Sequence, residues 1–365
     1  MEITMQMLDG CFNGRECFVH ARACVMPGGK AVMTMQKLDI SGSDLFSPLY
    51  VCRNHDGGET WSGPVRDDAL LLPPAENGLR VIGCDGTHLY HTHTGKALLA
   101  GHTVTYASDS RSPVRGAPFG TFYAVYDPAS ETYSPAKLLP IPLPEGIDGA
   151  APGCSQMVEK ADGTILIPVY MRQADSPRYV VSVVRCAFDG ETLRFLEMGN
   201  LLTFDDDRGL CEPSVCFYHG RYLLTLRSDH HGLWAESTDG LRFTEPKIWT
   251  WDTGMELPTY NTQSHWMIVS DRLFLVYTRR DGKNDHVFRN RAPLYFAQVD
   301  EKTMTVIRHS EQIAVTERGA RLGNFGVTPI SDRASLITAA EWMQPAGCEK
   351  YGSDNTIWLT TVSDE

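Results

Sequence analysis

A loose repeat, which recurs six times along the 365 residues, restricts the fold of this chain more than any other feature. Each unit contains a strand-like segment with polar residues, a turn, an apolar strand, a third strand and a turn with Asp. The best copy of that last turn is NHDGGETW, in which Asp56 and two glycines precede Trp61. Four further units hold Asp at the equivalent position, namely Asp127, Asp189, Asp239 and Asp300. A repeat of this kind predicts similar units arranged next to one another.

Short apolar or alternating runs such as GTILIPVYM and RYLLTLR are separated by Gly, Pro, Asp and Asn, and helical periodicity is weak. These runs predict an all-β protein. Six units of four strands predict a six-bladed β-propeller of four-stranded blades, and seven blades are possible if two units have been merged. A closed ring has no free sheet edges and accounts for one domain over residues 1–365. The N-terminal ITMQML is expected to complete the last blade.

The charge and cysteine content restrict the partners and the location. The chain has 33 Lys and Arg against 45 Asp and Glu, a formal net charge of −12, so we expect neither nonspecific nucleic-acid binding nor a basic membrane-binding face. No apolar run approaches membrane-spanning length, and the N-terminus lacks the features of a signal peptide. The ten cysteines form no CxxC pair. We therefore expect free thiols and a cytoplasmic protein.

Three segments resemble sialidase-like proteins. NHDGGETW resembles the Asp-box of that family, with Asn54 where Ser or Thr is usual. CEPSVCFYHGRYLLTLR resembles the segment in which a Glu opens a blade and an Arg closes its second strand, and Glu212 and Arg227 fit these positions. HARACVMPGGKAVMTMQ resembles the first blade, where an Arg precedes a Pro-Gly turn. Arg22 fits, although the usual Arg-Ile-Pro is absent.

The resemblance implies an exo-glycosidase that acts on a terminal acidic sugar, such as sialic acid, at the propeller centre. Asp44 in SGSDLF fits the acid/base Asp of the family, and Glu212 is expected to support a nucleophile or base. Three arginines from different blades are expected to bind the sugar carboxylate through charge-assisted, bidentate bonds. These are Arg22, Arg227 and, from RNRAPLYFAQVD, Arg291 or its neighbour Arg289.

The last blade departs from the family pattern. Sialidases place a Tyr nucleophile there, but GNFGVTPISDRASLITAAEW has Phe325 at the matching position. A phenyl ring can neither attack nor ionise. Tyr260 or Tyr277, from another blade, are the candidates to replace it.

The abundant histidines support a second interpretation. An Arg that neutralises a uronate carboxylate and a His or Tyr that removes the adjacent proton are the requirements of a polysaccharide lyase, for example at a rhamnose–glucuronate linkage. TRRDGKNDHVFRNRAPL is too polar for a structural hairpin and is predicted to line the cleft, with Arg279 and His286 among its residues. Further candidates for catalysis or substrate binding are His20, His91, His265 and Glu341.

The sequence leaves two other possibilities, a metal site and a binding protein without catalytic activity. His91 and His93 alternate onto one strand face, but no third ligand is spaced convincingly, so neither a metal nor another cofactor is predicted. A third function is that of a non-catalytic propeller that binds acidic glycans. In all three functions the expected partner is an acidic oligosaccharide.

Overall fold

The structure is a computed structural model that describes residues 1–75, 78–107, 112–114, 116–117 and 119–364. Its strands form six antiparallel sheets, each with a path of four strands. The predicted six-bladed propeller is therefore confirmed, and the seven-bladed alternative is wrong. No helix in the described part of the chain has the length and apolar character needed to cross a membrane. All ten cysteines are free thiols, as expected.

The strands follow the order of the sequence repeats. Blade 1 contains β2 (Glu16–Val25), β3 (Ala31–Asp39), β4 (Phe46–Asn54) and β5 (Trp61–Arg66). Blade 2 contains β6 (Arg80–His91), β7 (Lys96–Tyr106), β8 (Thr121–Asp127), β9 (Thr132–Tyr133) and β10 (Lys137–Leu139). Blade 3 contains β11 (Ile147–Ala151), β12 (Val158–Glu159), β13 (Ile165–Gln173), β14 (Tyr179–Phe188) and β15 (Leu193–Met198).

The second half of the chain repeats this pattern. Blade 4 contains β16 (Cys211–Tyr218), β17 (Arg221–Arg227), β18 (Gly232–Ser237) and β19 (Lys247–Ile248). Blade 5 contains β20 (His265–Val269), β21 (Arg272–Thr278), β22 (Leu294–Asp300), β23 (Thr305–Val306) and β24 (Gln312–Val315). Blade 6 contains β25 (Gly326–Ser331), β26 (Ala334–Ala340), β27 (Ile357–Ser363) and β1 (Glu2–Leu8). Short 3₁₀ helices cover Asp68–Leu70, Phe288–Asn290, Arg308–Ser310 and Cys348–Tyr351.

The N-terminal strand closes the ring. Strand β1 pairs antiparallel with β27, and Glu2 lies opposite Ser363 while Leu8 lies opposite Ile357. This pairing confirms that ITMQML completes the last blade. It also joins the two ends of the chain in one sheet, so that no blade is left as an open end of the propeller.

The apolar core lies between neighbouring blades. One cluster, for example, joins Trp234 of blade 4 to Trp266 and Leu275 of blade 5 around the fully buried Trp249. Comparable clusters lie at the other blade–blade contacts. Because each blade buries both of its faces against neighbours, packing fixes the positions of the inner strands relative to one another.

The Asp turns have the position that the repeat predicts. The Oδ1 atom of Asp56 accepts hydrogen bonds from the backbone N–H of Thr60 at 2.9 Å and from the side chain of Asn54 at 2.7 Å. The other four aspartates likewise accept backbone N–H groups two or three residues further on, each between the third and fourth strands of its blade. NHDGGETW is thus a peripheral hairpin tip, away from the propeller centre.

The inner strands share a local irregularity that shapes the site. Strands β2, β6, β12, β16, β20 and β25 contact one another in a closed ring around the axis. Five of the six blades have a non-glycine residue with positive φ in the inner strand or just before it. These residues are His20 (φ 58°), Asp85 (φ 56°), Cys154 (φ 60°), Glu212 (φ 44°) and Asn261 (φ 53°). Such a conformation costs about 1–3 kcal/mol per residue and is often retained at functional sites. These positions therefore indicate a functional site in the part of the ring where they lie.

Candidate active site

A cleft of about 370 Å³ opens in this part of the ring. Every blade or its loops contribute to it: His20 and Asp44 from blade 1, Asp85 and His102 from blade 2, Tyr170 from blade 3, Glu212 and Arg227 from blade 4, Arg289 and Arg291 from blade 5, and Arg321, Asn324 and Trp342 from blade 6. The cleft therefore lies on the propeller axis, where the resemblance places the substrate.

Glu212 and Arg227 form a partly buried ion pair on the wall of the cleft. In the ladder between β16 and β17, Cys211 lies opposite Arg227. The register shifts directly after Cys211, and this shift turns Glu212 towards the cleft. The guanidinium of Arg227 is 5% exposed, bonds the Glu212 carboxylate and donates to Oδ1 of Asn261 at 2.7 Å. Burial raises the pKa of Glu212, but the charges of Arg227 and Arg291 and the hydrogen bond from Arg227 together lower this pKa below the usual value. Glu212 is therefore a carboxylate at neutral pH.

Arg291 is a buried cation without a carboxylate partner in the described part of the chain. Its guanidinium donates to the carbonyl oxygen of Asn261 from Nε at 3.1 Å and Nη2 at 2.5 Å, and from Nη1 to Oδ1 of Asn324 at 3.3 Å. Gly323 makes room for it, since a Cβ atom there would lie 2.7 Å from Cδ of Arg291. Burial and the nearby charge of Arg227 hold the pKa of Arg291 well below its usual range.

Arg321 is a second cation of this kind. It is 7% exposed, its guanidinium lies 4.4 Å from the ring centre of Trp342, and Nη2 donates to Oε1 of Gln344 at 3.0 Å. The Nε atom has no hydrogen-bond partner among the described residues. Burial and the neighbouring Arg289 lower the pKa of Arg321 to about 10. The cleft thus holds two buried guanidinium groups that form no ion pair with any described residue, which favours an anionic ligand.

Arg22 does not line the cleft. Its side chain is 1% exposed, its guanidinium pairs with Asp85, and Nε donates to the carbonyl oxygen of Phe325 at 3.2 Å. The thiol of Cys154 bonds the other oxygen of the same carboxylate. Burial opposes ionisation of Asp85, but the charge of Arg22 holds its pKa well below the usual range. The positive charge of Arg22, which was expected to bind a substrate carboxylate, is therefore already neutralised by Asp85.

Asp44 and His20 do border the cleft. Asp44 is exposed at its rim, and its carboxylate accepts a hydrogen bond from Oγ of Ser43 at 3.0 Å. His20 is 4% exposed, with its ring centre 5.0 Å from that of Phe46 and 5.4 Å from that of Trp342. Burial lowers the pKa of His20 to about 4, so its imidazole is neutral at physiological pH.

Besides Arg22, six of the predicted site residues lie outside the cleft, and each has a local partner. They are Arg279, which pairs with Glu311 at 2.6 Å; Glu341, with Arg318 at 2.7 Å; His286, with Glu317 at 2.9 Å; Tyr260, which donates to Asn290 at 2.5 Å; His265, bonded to Ser214 at 2.7 Å; and His91, bonded to Gly163 at 2.9 Å. Of the polar loop in blade 5, the structure therefore brings Arg289 and Arg291 to the cleft, but not Arg279 or His286.

The fold brings Glu159 of β12 beside His91 and His93, a third possible ligand that the sequence spacing did not reveal. The carboxylate of Glu159 already accepts hydrogen bonds from the backbone N–H of Thr92 at 2.7 Å and of His93 at 3.0 Å. Both ring nitrogens of His91 also have partners, the hydroxyl of Thr94 and the carbonyl of Gly163. These bonds account for the cluster as a structural link between blades 2 and 3.

Sequence reasoning missed His102, Tyr170 and Arg321. The strand register shows that His102 and Arg227 are in equivalent positions. Cys84 lies opposite His102 just before the register shift in β6, and Cys211 lies opposite Arg227 just before the register shift in β16. Aligning the repeats on their second strands therefore pairs His102 with Arg227. Tyr170 lies in the second strand of blade 3, opposite Ala151.

Phe325 is fully buried, and its ring packs on His265 with ring centres 4.9 Å apart. Tyr277 is buried too, and its hydroxyl donates to Glu311 at 2.6 Å. Tyr170 is instead the tyrosine that borders the cleft together with Glu212. Burial raises the pKa of Tyr170 well above its usual value, so it carries a proton at neutral pH.

Comparison with solved structures places this geometry in a known fold. A protein of unknown function from Dyadobacter fermentans superposes with a TM-score of 0.70 at 16% identity, and the match covers 99% of both chains. The microbial sialidase Hz136 gives 0.65 at 14% identity, over 95% of this chain and 65% of the other. The chain has the fold of the sialidase six-bladed propellers. At these identities the likeness concerns the fold alone.

Trypanosoma rangeli sialidase in complex with the inhibitor DANA superposes with a TM-score of 0.62 at 15% identity. The match covers 94% of this chain and 54% of the sialidase chain, so this chain spans about half the length of that enzyme. No protein-family model matches the chain, and no curated protein matches its sequence.

The buried histidines of the sialidase-like propeller predict that its stability falls in mild acid. Burial lowers the pKa to about 4 in His20 and to about 3 in His88 and His265, from 6.5 in an exposed histidine. As the pH falls below 6.5, the unfolded chain binds protons that the folded chain does not. Each histidine then removes up to about 1.4 kcal/mol of unfolding free energy per pH unit.

Denaturant unfolding from pH 7.5 to 4.5 measures this effect. We expect His265→Gln to have a shallower acid slope than the parent, because it removes one of these protons. His309→Gln, at an exposed position, is the matched control and should keep the parent slope. Equal slopes for His265→Gln and the parent would contradict the prediction.

Proposed function

We propose that this propeller is a carbohydrate-active enzyme that binds a terminal acidic sugar in the axial cleft and cleaves the bond next to it. The observation that carries the proposal is the pair of buried guanidinium groups, Arg291 and Arg321, that have no carboxylate partner among the described residues. A sugar carboxylate supplies the missing negative charge, and guanidinium groups bind it through charge-assisted hydrogen bonds. Arg227 borders the same space and, although it is paired with Glu212, completes a three-arginine set with members from blades 4, 5 and 6.

The favoured reaction is glycoside hydrolysis. In this proposal Asp44, exposed at the rim, donates a proton to the leaving oxygen and later accepts one from water. Tyr170 takes the part of the nucleophile that Phe325 cannot provide. Glu212, ionised on the same wall, is the acceptor for the proton that the Tyr170 hydroxyl must lose on attack.

β-Elimination next to a uronate is the second candidate, and one observation favours it. Nδ1 of His102 has no hydrogen-bond partner among the described residues. A Cβ atom on Gly153 would lie 2.9 Å from this nitrogen and 2.8 Å from the hydroxyl of Tyr170, so both groups face the same space. Burial lowers the pKa of His102, which keeps the imidazole neutral and able to remove a proton.

Product mass distinguishes the reactions. Sialyl- and uronate-capped oligosaccharides are incubated with the protein and analysed by mass spectrometry. Fragments that together gain one water support hydrolysis, whereas fragments that sum to the parent mass, one of them with a new double bond, support elimination. Retention of an acidic glycan without cleavage would identify a binding module, and neither binding nor cleavage across the panel would overturn the proposal.

A further inference from the structure

A second depression continues from the axial cleft towards blades 3 and 4. Its volume is about 670 Å³. Four residues border both spaces, namely Tyr170, Arg208, Glu212 and Arg227. Because these four residues line both spaces, the second depression lies directly beside the axial cleft, and we call it the side cleft.

Two tyrosines, Tyr170 and Tyr179, border the side cleft, and their rings are held in place by aromatic contacts. The rings of Phe119 and Tyr170 are stacked with centres 5.5 Å apart and an interplanar angle of 24°. Tyr179 meets Tyr170 edge to face at 5.7 Å. Tyr179 is half-buried and borders the side cleft but not the axial one. Aromatic rings held in this way present rigid apolar surface with little entropy left to lose, which suits the C–H faces of a sugar ring.

The charges of the side cleft are balanced, unlike those of the axial cleft. Arg172 forms a two-point ion pair with Asp148, at 2.7 and 2.9 Å. Arg208 pairs with Asp229 at 3.2 Å. A second acidic sugar would have to compete with these carboxylates, whereas a neutral sugar can use the same polar groups as hydrogen-bond donors and acceptors.

We infer that the side cleft binds the neutral sugar on the other side of the cleaved bond, so that the substrate is an oligosaccharide with an acidic terminal unit linked to a neutral one. The inference rests on the proposed function, because the acidic unit must occupy the axial cleft. It assigns Tyr179 as a specificity residue for the neutral unit. The acidic unit is at the non-reducing end of the bond in the hydrolysis substrate and at its reducing end in the elimination substrate, but in both reactions the broken bond joins an acidic unit to a neutral one.

The test compares each natural-type substrate with an analogue that carries only a methyl group in place of the neutral sugar. The pairs are 3′-sialyllactose with methyl α-N-acetylneuraminide, and 4-O-α-L-rhamnosyl-D-glucuronic acid with 4-O-methyl-D-glucuronic acid. For the pair that is turned over, we compare the ratio of kcat/KM for the oligosaccharide to kcat/KM for the methyl analogue. We expect this ratio to be about ten or more in the parent protein. In Tyr179→Ala this ratio should fall towards one, and in Tyr179→Phe it should be retained.

Tyr90→Ala is the matched control, since Tyr90 is half-buried and borders a different depression. Its ratio should equal that of the parent. Turnover of both members of a pair at equal rates would overturn the side-cleft assignment and leave the proposed function standing, as would a Tyr179→Ala ratio equal to that of the parent. No binding or turnover of any of the four compounds would overturn both.

Discussion

Asp85→Ala is expected to reduce the unfolding free energy by about 3–5 kcal/mol, which is a large part of the stability of a typical domain. The reason is the position of Arg22. Its guanidinium is 1% exposed, and the Asp85 carboxylate is the negative charge that pairs with it. Without that carboxylate, Arg22 remains charged in the core, and the thiol of Cys154 loses its acceptor as well. Denaturant unfolding at neutral pH measures the loss.

The double variant Arg22→Met/Asp85→Ala is the control for this prediction. It removes both charges and fills most of the volume of Arg22 with an apolar side chain, so we expect it to be more stable than Asp85→Ala alone. The prediction would be contradicted if the single variant lost less than about 1 kcal/mol of unfolding free energy. It would also be contradicted if the double variant were no more stable than the single variant.

The fold was predictable because its determinants are local. The Asp turns at Asp56, Asp127, Asp189, Asp239 and Asp300 form with bonds inside a few residues, and the alternation of apolar strands is repeated around them. Six such units leave few arrangements that bury every face. The pairing of β1 with β27 followed from the need to complete a blade that otherwise has three strands.

The site was only partly predictable because it depends on contacts between blades. The residues that resemblance assigned to the centre, Asp44, Glu212, Arg227 and Arg291, do line the cleft. Arg22 also lies near the axis, but its use is decided by Asp85, which is 63 positions away and turned inward by the register shift in β6. A sequence pattern in blade 1 holds no information about that shift.

The polar loop 279–291 shows the same limit on a smaller scale. Its composition correctly pointed to the propeller centre, but composition does not say which side chains turn inward. Arg279 reaches Glu311 on its own blade, whereas the positive φ at Arg289 and the 3₁₀ turn before Arg291 direct the chain back towards the cleft. Arg321, to which the sequence assigned no role, lines the cleft, whereas Arg22 does not.

Arg291→Met is expected to weaken the binding of an acidic sugar by roughly 30- to 1,000-fold, or about 2–4 kcal/mol. Methionine retains an unbranched apolar stem next to Gly323 but cannot donate to a carboxylate. Calorimetric titration with N-acetylneuraminic acid and with glucuronic acid measures the change, and KM should rise accordingly for the substrate that is turned over. Lactose, which has no carboxylate, should show no comparable change.

Arg280→Ala is the matched control because Arg280 lies in the same loop and pairs with Asp285 at 3.0 Å on the exposed surface. It removes one positive charge from the same region of the chain, so it separates a contact in the cleft from a general change in net charge. We expect its affinities to equal those of the parent. If Arg291→Met binds both acids within threefold of the parent, the unpaired guanidinium of Arg291 is not a carboxylate site, and the observation on which the proposed function rests has another cause.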